Sequence, residues 1–268
     1  MFEILGYGFF QNAIIAGLLA SVVCGVVGSF VVVKRMVATS GGISHAAFGG
    51  VGLGYFFGID PLLGAFAFTM CVAVFMWYLN ERELQNTDTL TGAVWAAGMA
   101  VGIIFIALTP GYAPDLFSYL FGNILLVPTG DLHLMAALTL IICCVVLLLF
   151  PQLVSAIFDT EYAAVRGLPV SGLILVLFIM VAFTVVLLIS VVGIILVIAL
   201  LTLPAATARL FSYTLPAMIA GAILIGSATV LSGIGLSYVF DLPSGATIIL
   251  SCAVIYGGAL SWRHLLLE

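Results

Sequence analysis

The sequence predicts an all-α fold, a polytopic transmembrane helical bundle of eight or nine spans with short broken or re-entrant segments. Three observations lead there: too little charge for a wetted surface, a succession of long apolar runs, and basic residues that can all be placed on one side. Of 268 residues, 65% are hydrophobic and 6% charged, whereas a soluble domain carries about 25% charged residues. A chain this size with so few charges needs hydrocarbon as part of its solvent. The net charge of −5 and six Lys and Arg residues exclude a basic nucleic-acid surface; only Lys34 and Arg35 are adjacent.

A span needs about 20 apolar residues to cross about 30 Å of hydrocarbon. Taken in order, Ala13–Val33, Leu62–Leu79, Gly92–Leu108, Leu132–Phe150, Ser171–Ile189, Leu215–Gly235 and Pro243–Trp262 qualify. The Met1-Phe2-Glu3 start lacks the basic region of a cleavable signal, so the first run reads as a retained span. Gly41–Gly58 is apolar but dense in glycine, which favours close helix packing or a local break. Gly172–Leu203 is long for one helix and short for two. Asp115–Val127 is about half a span and ends at Pro128.

The basic residues arbitrate. If Asp115–Val127 dips in and returns, and Gly172–Leu203 bends and crosses twice, then Lys34, Arg35, Arg82, Arg166, Arg209 and Arg263 all share one side. That is what the positive-inside rule demands. The result is nine crossings, with the N-terminus outside and the C-terminus in the cytosol; eight follow if one short segment is re-entrant. No boundary divides residues 1–268, which read as one transmembrane domain.

Several segments carry chemical information. Pro151–Pro169, the longest cytosolic connection, has helically spaced Leu153, Ile157, Phe158, Tyr162 and Val165, acids at Asp159 and Glu161, Gly167 as a C-cap and Pro169 as a stop. A surface helix exposing Phe158 and Tyr162 beside acids suits a protein partner; the alternative is a helix lying on lipid. Pro204 ends an apolar run, where proline is expected to break the helix. His45, an ionisable group at membrane depth, is a functional candidate and a potential metal ligand, against the alternative of a satisfied core histidine. Asp241 lies near the outer face, where a carboxylate can receive a cation or simply be a solvated loop acid. His133 and Asp131 fall on different helix faces, and His264 reads as an end residue.

Cys24, Cys71, Cys143, Cys144 and Cys252 show no CxxC spacing and read as small buried hydrophobes. There is no GxxxxGK, HExxH or GxSxG, so P-loop ATP hydrolysis, zincin chemistry and serine-elbow hydrolysis are not expected of this chain. A non-catalytic transmembrane subunit is the expectation.

Phe30-Val-Val-Val-Lys-Arg-Met36 leading to Gly42-Ile-Ser-His-Ala-Ala-Phe-Gly-Gly50 resembles the permease subunits of zinc/manganese/iron ABC importers, the ABC-3 family. Further similar motifs follow in order: Thr87–Gly92, Ser118–Asn123, Phe158–Ala163, Val192–Val197, Leu203–Arg209 and Asp241–Thr247. The resemblance covers essentially the whole chain.

It implies a multi-pass cell-membrane permease, a homodimeric pore formed with a second copy of itself. An extracytoplasmic metal-binding solute-binding protein would feed it, and cytosolic ABC ATPase subunits would drive it. Pro151–Pro169 would supply the coupling helix, with Phe158, Asp159, Glu161 and Gly167 at the ATPase seat. No cofactor is held permanently; the transported ion is zinc or manganese, with iron a further option. Relatives often carry an acid four residues before the residue equivalent to His45, and here that position is Gly41. A two-ligand site within one helix is therefore missing, and the candidate metal ligands are His45 with Asp241. The alternative is a secondary transporter or channel that needs no ATPase, although few ionisable residues other than His45 lie in the spans.

Overall fold

In the computed structural model, residues 7–82, 86–110, 122 and 124–267 are described. They form α1 (Gly8–Val33), α2 (Val37–Phe57), α3 (Pro61–Arg82), α4 (Thr87–Leu108), a 3-10 turn (Ile124–Leu126), α5 (Thr129–Phe158) and α6 (Thr160–Val165). These are followed by α7 (Val170–Val192), α8 (Ile194–Phe211), α9 (Leu215–Phe240) and α10 (Ser244–Leu267). There are no strands among the described residues. Among the described residues, eight helices are long and apolar enough to span a membrane. α2 is long enough at 21 residues, but its glycines, serines and His45 keep its hydropathy lower.

Side-chain and backbone contacts fix the direction of each helix. Gly25 of α1 meets Ile223 of α9, and Ser21 meets Gly226, so these two run antiparallel. α8 lies beside α1 in the same direction: Gly28 meets Leu201, and Arg209 Nη1 donates to Val32 O at 3.2 Å. α9 and α10 form an antiparallel hairpin through Gly233 and Ile248. α3 and α7 are antiparallel, with Trp77 Nε1 donating to Ser171 O at 3.0 Å at one end and Phe66 against Phe183 toward the other. With these directions, Lys34, Arg35, Arg82, Arg166, Arg209 and Arg263 all lie on one face of the bundle. The opposite face carries Asp60, Asp131 and Asp241. The asymmetry agrees with the positive-inside orientation, and the chain is a multi-pass membrane protein.

α2 is wedged between α3 and α4. Much of its buried face touches backbone directly: Gly50 and Gly64 face one another, and Gly52 faces Gly102. Glycine lets helices approach until dispersion acts between main chains, the commonest route to helix association in lipid. The glycine-dense segment is therefore an unbroken, tightly packed helix. Outward, α5 presents Leu147 and Leu148 at 75% and 76% exposure, a surface that suits hydrocarbon.

The apolar run after Ser171 divides at Gly193, which caps the end of α7 and the start of α8. Its φ of 79° and ψ of 158° belong to a region that is essentially glycine's alone. The adjoining Gly122, with φ 62°, packs its Cα against the Val192–Gly193 peptide. A single residue thus turns two spans.

Of the segment predicted to be re-entrant, residues 115–121 and 123 lie outside the described residues. At its end, Val127 O accepts from Asn12 Nδ2 at 3.2 Å, while Ile124 reaches Gly17. Five residues of helix rise about 7.5 Å, so the chain climbs outward from Ile124 to Val127.

Three expectations are corrected. Pro204 and Pro151 lie inside continuous helices. The helix continues through each although proline removes one backbone donor, as membrane bundles permit. The cytosolic segment is not one helix over 151–166: α5 continues to Phe158, and α6 is a separate six-residue turn. Cys24 and Cys252 are buried, but Cys71 and Cys144 sit on the outside of the bundle; all five are free thiols. Hydrocarbon solvates a thiol as well as a packed interior does.

Replacement of Gly50 by leucine should force α2 from α3 and lower stability by about 1–3 kcal/mol. Gly235 has nothing within 4 Å of an added Cβ, so Gly235→Leu should leave stability unchanged. Thermal unfolding of the two variants in detergent measures the difference.

Candidate metal pathway and cytosolic coupling surface

The packing of α2 against α4 decides where His45 points. The helices run parallel, with Gly42 against Thr91, Gly49 against Gly98 and Gly52 against Gly102. This register brings the imidazole of His45 onto the indole of Trp95, with centroids 4.0 Å apart and planes 8° from parallel. Trp95 Nε1 in turn donates to Met99 Sδ at 3.2 Å, one turn along α4. The stack fixes the imidazole plane at a half-buried position inside the membrane-spanning region.

Two features mark this place as more than packing. His45 Nδ1 is buried with no hydrogen-bond partner among the described residues, and so is Thr91 Oγ1 on the adjacent helix. Buried polar atoms are nearly always satisfied, so a partnerless imidazole nitrogen at membrane depth is an exception that a ligand or a turn of the ring would satisfy. Gly41, one helical turn before His45, is itself buried, yet a Cβ built there would meet nothing within 4 Å. Space is thus open on the His45 side of α2, unlike the backbone contacts at Gly50 and Gly52.

Asp241 is elsewhere. It ends α9 in the left-handed conformation with φ 52°. The Asp241 and Leu242 N–H groups both donate to Ser237 O, and Ser237 Oγ donates to Leu242 O at 2.6 Å. The carboxylate is exposed at the outer end of the bundle. His45 lies twelve residues from Phe57, the outer end of α2, or about 18 Å along the axis. α2 packs chiefly on α3, α4, α7 and α8, with a small contact on α1, and α9 packs on α1, α8 and α10. The fold therefore does not bring His45 and Asp241 together in one chain. No cluster of three or more His, Cys, Asp or Glu side chains occurs among the described residues.

His133 Nδ1 lies 2.8 Å from Thr129 O of its own first turn, and it contributes to neither candidate ligand. Trp95 and Met99 were not singled out from sequence, and Thr91 entered only as a member of a motif. The only sequence signal near them is the Thr87–Gly92 motif, and the stack itself depends on the α2–α4 register.

At the cytosolic end, Asp159 leaves the helical conformation (φ −147°, ψ 91°) and caps α6, its Oδ1 accepting from Tyr162 N at 2.8 Å. α6 closes at Gly167, φ 77°, where Gly167 N–H and Leu168 N–H donate to Ala164 O and Ala163 O. Ala163 is buried against the bundle, whereas Phe158, Tyr162 and Val165 are 64%, 51% and 88% exposed. Arg166 lies over the Tyr162 ring at 5.4 Å, and Glu161 is exposed. The outcome is a rigid, capped turn that carries an apolar ridge beyond the ends of the spans.

Residues 6–262 match the ABC 3 transport family. The chain is 48% identical over 264 residues to an uncharacterized membrane protein of Synechocystis, covering 98% of this chain and 94% of that one. It is 34% identical to the manganese transport system membrane protein MntC of Listeria monocytogenes, covering 94% and 90%. Among solved structures, PsaBC from Streptococcus pneumoniae in complex with Fab superposes with a TM-score of 0.86 at 31% identity, over 96% of this chain and 93% of that one. An inward-facing putative metal-chelate type ABC transporter shares the fold at a TM-score of 0.74 and 17% identity. With a match across nearly its whole length, this chain belongs to the ABC 3 transport family.

Proposed function

We propose that this chain is the permease subunit of an ATP-driven importer of a divalent transition metal ion, and that His45 is the protein ligand the ion meets within the membrane. The observation that carries the proposal is an imidazole stacked at membrane depth with a partnerless Nδ1, one helical turn from the open space at Gly41. The names of the manganese-transporting relatives favour manganese as the cargo; zinc, and less directly iron, suit the same imidazole. One chain supplies too few ligands to strip a divalent ion of its water. A second copy, placing its own His45 opposite, would complete the site, and this supports a homodimeric pore. Asp241 is then an outer-face carboxylate that meets the cation on delivery, at a separate step from His45. A sparse site suits import because the ion must also leave.

Hydrolysis of ATP falls to separate cytosolic subunits, which α6 would engage. Phe158 and Glu161 present an exposed apolar and acidic surface. Asp159 and Gly167 act through geometry, capping the two ends of the turn. Loss of the Asp159 cap would cost about 1 kcal/mol of local helix stability. An extracytoplasmic metal-binding protein would deliver the cargo to the acidic outer face. A rival reading, transport without an ATPase, predicts metal flux into vesicles that contain this chain alone.

Three experiments test the proposal in vesicles holding the complete transporter. His45→Ala should lower metal uptake about 10- to 100-fold, the usual effect of disturbing a metal's ligand shell, with unfolding temperature unchanged. Unaltered uptake would refute the role of His45. Gly41→Asp should fit without steric cost and place a carboxylate one turn from His45. It should tighten metal retention and slow maximal uptake, as measured by single-turnover release. Phe158→Ala should weaken ATPase association by about 2 kcal/mol, or about 30-fold, as read by co-purification, without changing the fold.

A further inference from the structure

A second feature lies away from His45 and is independent of the metal reading. α3 and α5 each pack on α7 but make no extensive contact with one another, which leaves a trough with α7 as its floor. Its outer part is a cavity of about 500 Å³ between Leu62, Phe66, Leu134, Met135, Phe183 and Leu187, with Asp60 and Asp131 at the mouth. It continues inward through Leu138 and Phe183, shared with a second cavity of about 230 Å³ that reaches Val145 and Val176.

From Asp131 to Val145 the trough follows α5 for about 21 Å, against about 15 Å for one leaflet's hydrocarbon. Below the mouth every lining side chain is apolar. A dehydrated cation would find no ligand there, so this is no ion path. Its rims, Leu63 and Leu134, are 65% and 56% exposed and apolar, facing hydrocarbon. At the mouth, one oxygen of Asp60 accepts from Leu62 N at 2.7 Å, which fixes the carboxylate at the start of α3. Asp131 sits in the first turn of α5, where the macrodipole favours its negative charge. Two carboxylates over an apolar slot complement an amphiphile with a cationic head.

We propose that the trough binds an acyl chain of an outer-leaflet membrane lipid whose headgroup carries a primary ammonium, held by Asp60 and Asp131. The lipid fills the slot between α3 and α5 and bears on α7, the helix that ends at Gly193.

Native mass spectrometry of the purified full-length chain, titrated with dioleoyl phosphatidylethanolamine or dioleoyl phosphatidylglycerol, tests this. The ethanolamine lipid should be retained at least about threefold better, since an ammonium pairs with the acids and a phosphoglycerol does not. The D60N/D131N double variant should retain both lipids equally. Leu187→Trp, which fills the slot, should lose both while unfolding at the same temperature. Equal retention by the unaltered chain, or a preference that survives D60N/D131N, would overturn the proposal. So would efficient cross-linking of Leu134→Cys between two copies in vesicles, which would make the trough a protein interface. Calcium binding at Asp60 and Asp131 with neither lipid retained would make the mouth an ion site, and would equally overturn it.

Discussion

The main-chain contact of α2 with α3 and α4 is the constraint from which the rest follows. In lipid, apolar side chains gain little by leaving hydrocarbon for a protein interior, so helices associate through close packing. The glycine pairs at 50 and 64, and at 52 and 102, let α2 approach its neighbours at backbone distance. That approach fixes the α2–α4 register, the register sets His45 on Trp95, and the stack leaves one imidazole nitrogen unpaired. A helix of low hydropathy is tolerated at the centre of the bundle because protein, not lipid, surrounds most of it.

The two ends of the molecule divide the labour. The cytosolic face holds all the Lys and Arg residues together with α6, whose caps at Asp159 and Gly167 make a short turn stand rigidly on a long helix. Six residues could not hold a helix in water by propensity alone; the caps and the buried Ala163 supply what length does not. The outer face carries Asp60, Asp131 and Asp241, each at or beside a helix end. Between the faces, His45 is a half-buried ionisable side chain among the spans, stacked on Trp95.

Proline and glycine behaved differently from each other. Pro204 was expected to break its helix, yet it and Pro151 are both accommodated within helices, because a missing hydrogen bond in a packed bundle is a local loss. Gly193 makes the real break. There the chain needs a φ that a side chain would forbid, and Gly122 covers the exposed peptide. Conformational freedom, rather than loss of a donor, chose the turning point.

The sequence by itself determined that this is a membrane bundle, roughly where its spans lie, and which face looks to the cytosol. Each of these follows from how much charge and apolar length hydrocarbon tolerates, and both are properties of the linear chain. It also made His45 and Phe158 conspicuous, and the resemblance to ABC-3 permeases drew attention to Gly41, where relatives often carry an acid. The tertiary structure alone decided that Trp95 stacks on His45 and that Asp241 lies at another depth. It also moved the start of the cytosolic turn to Asp159 and opened a trough between α3 and α5. These depend on helix registers and crossings, which arise from contacts between residues far apart in the chain, and no local pattern encodes them.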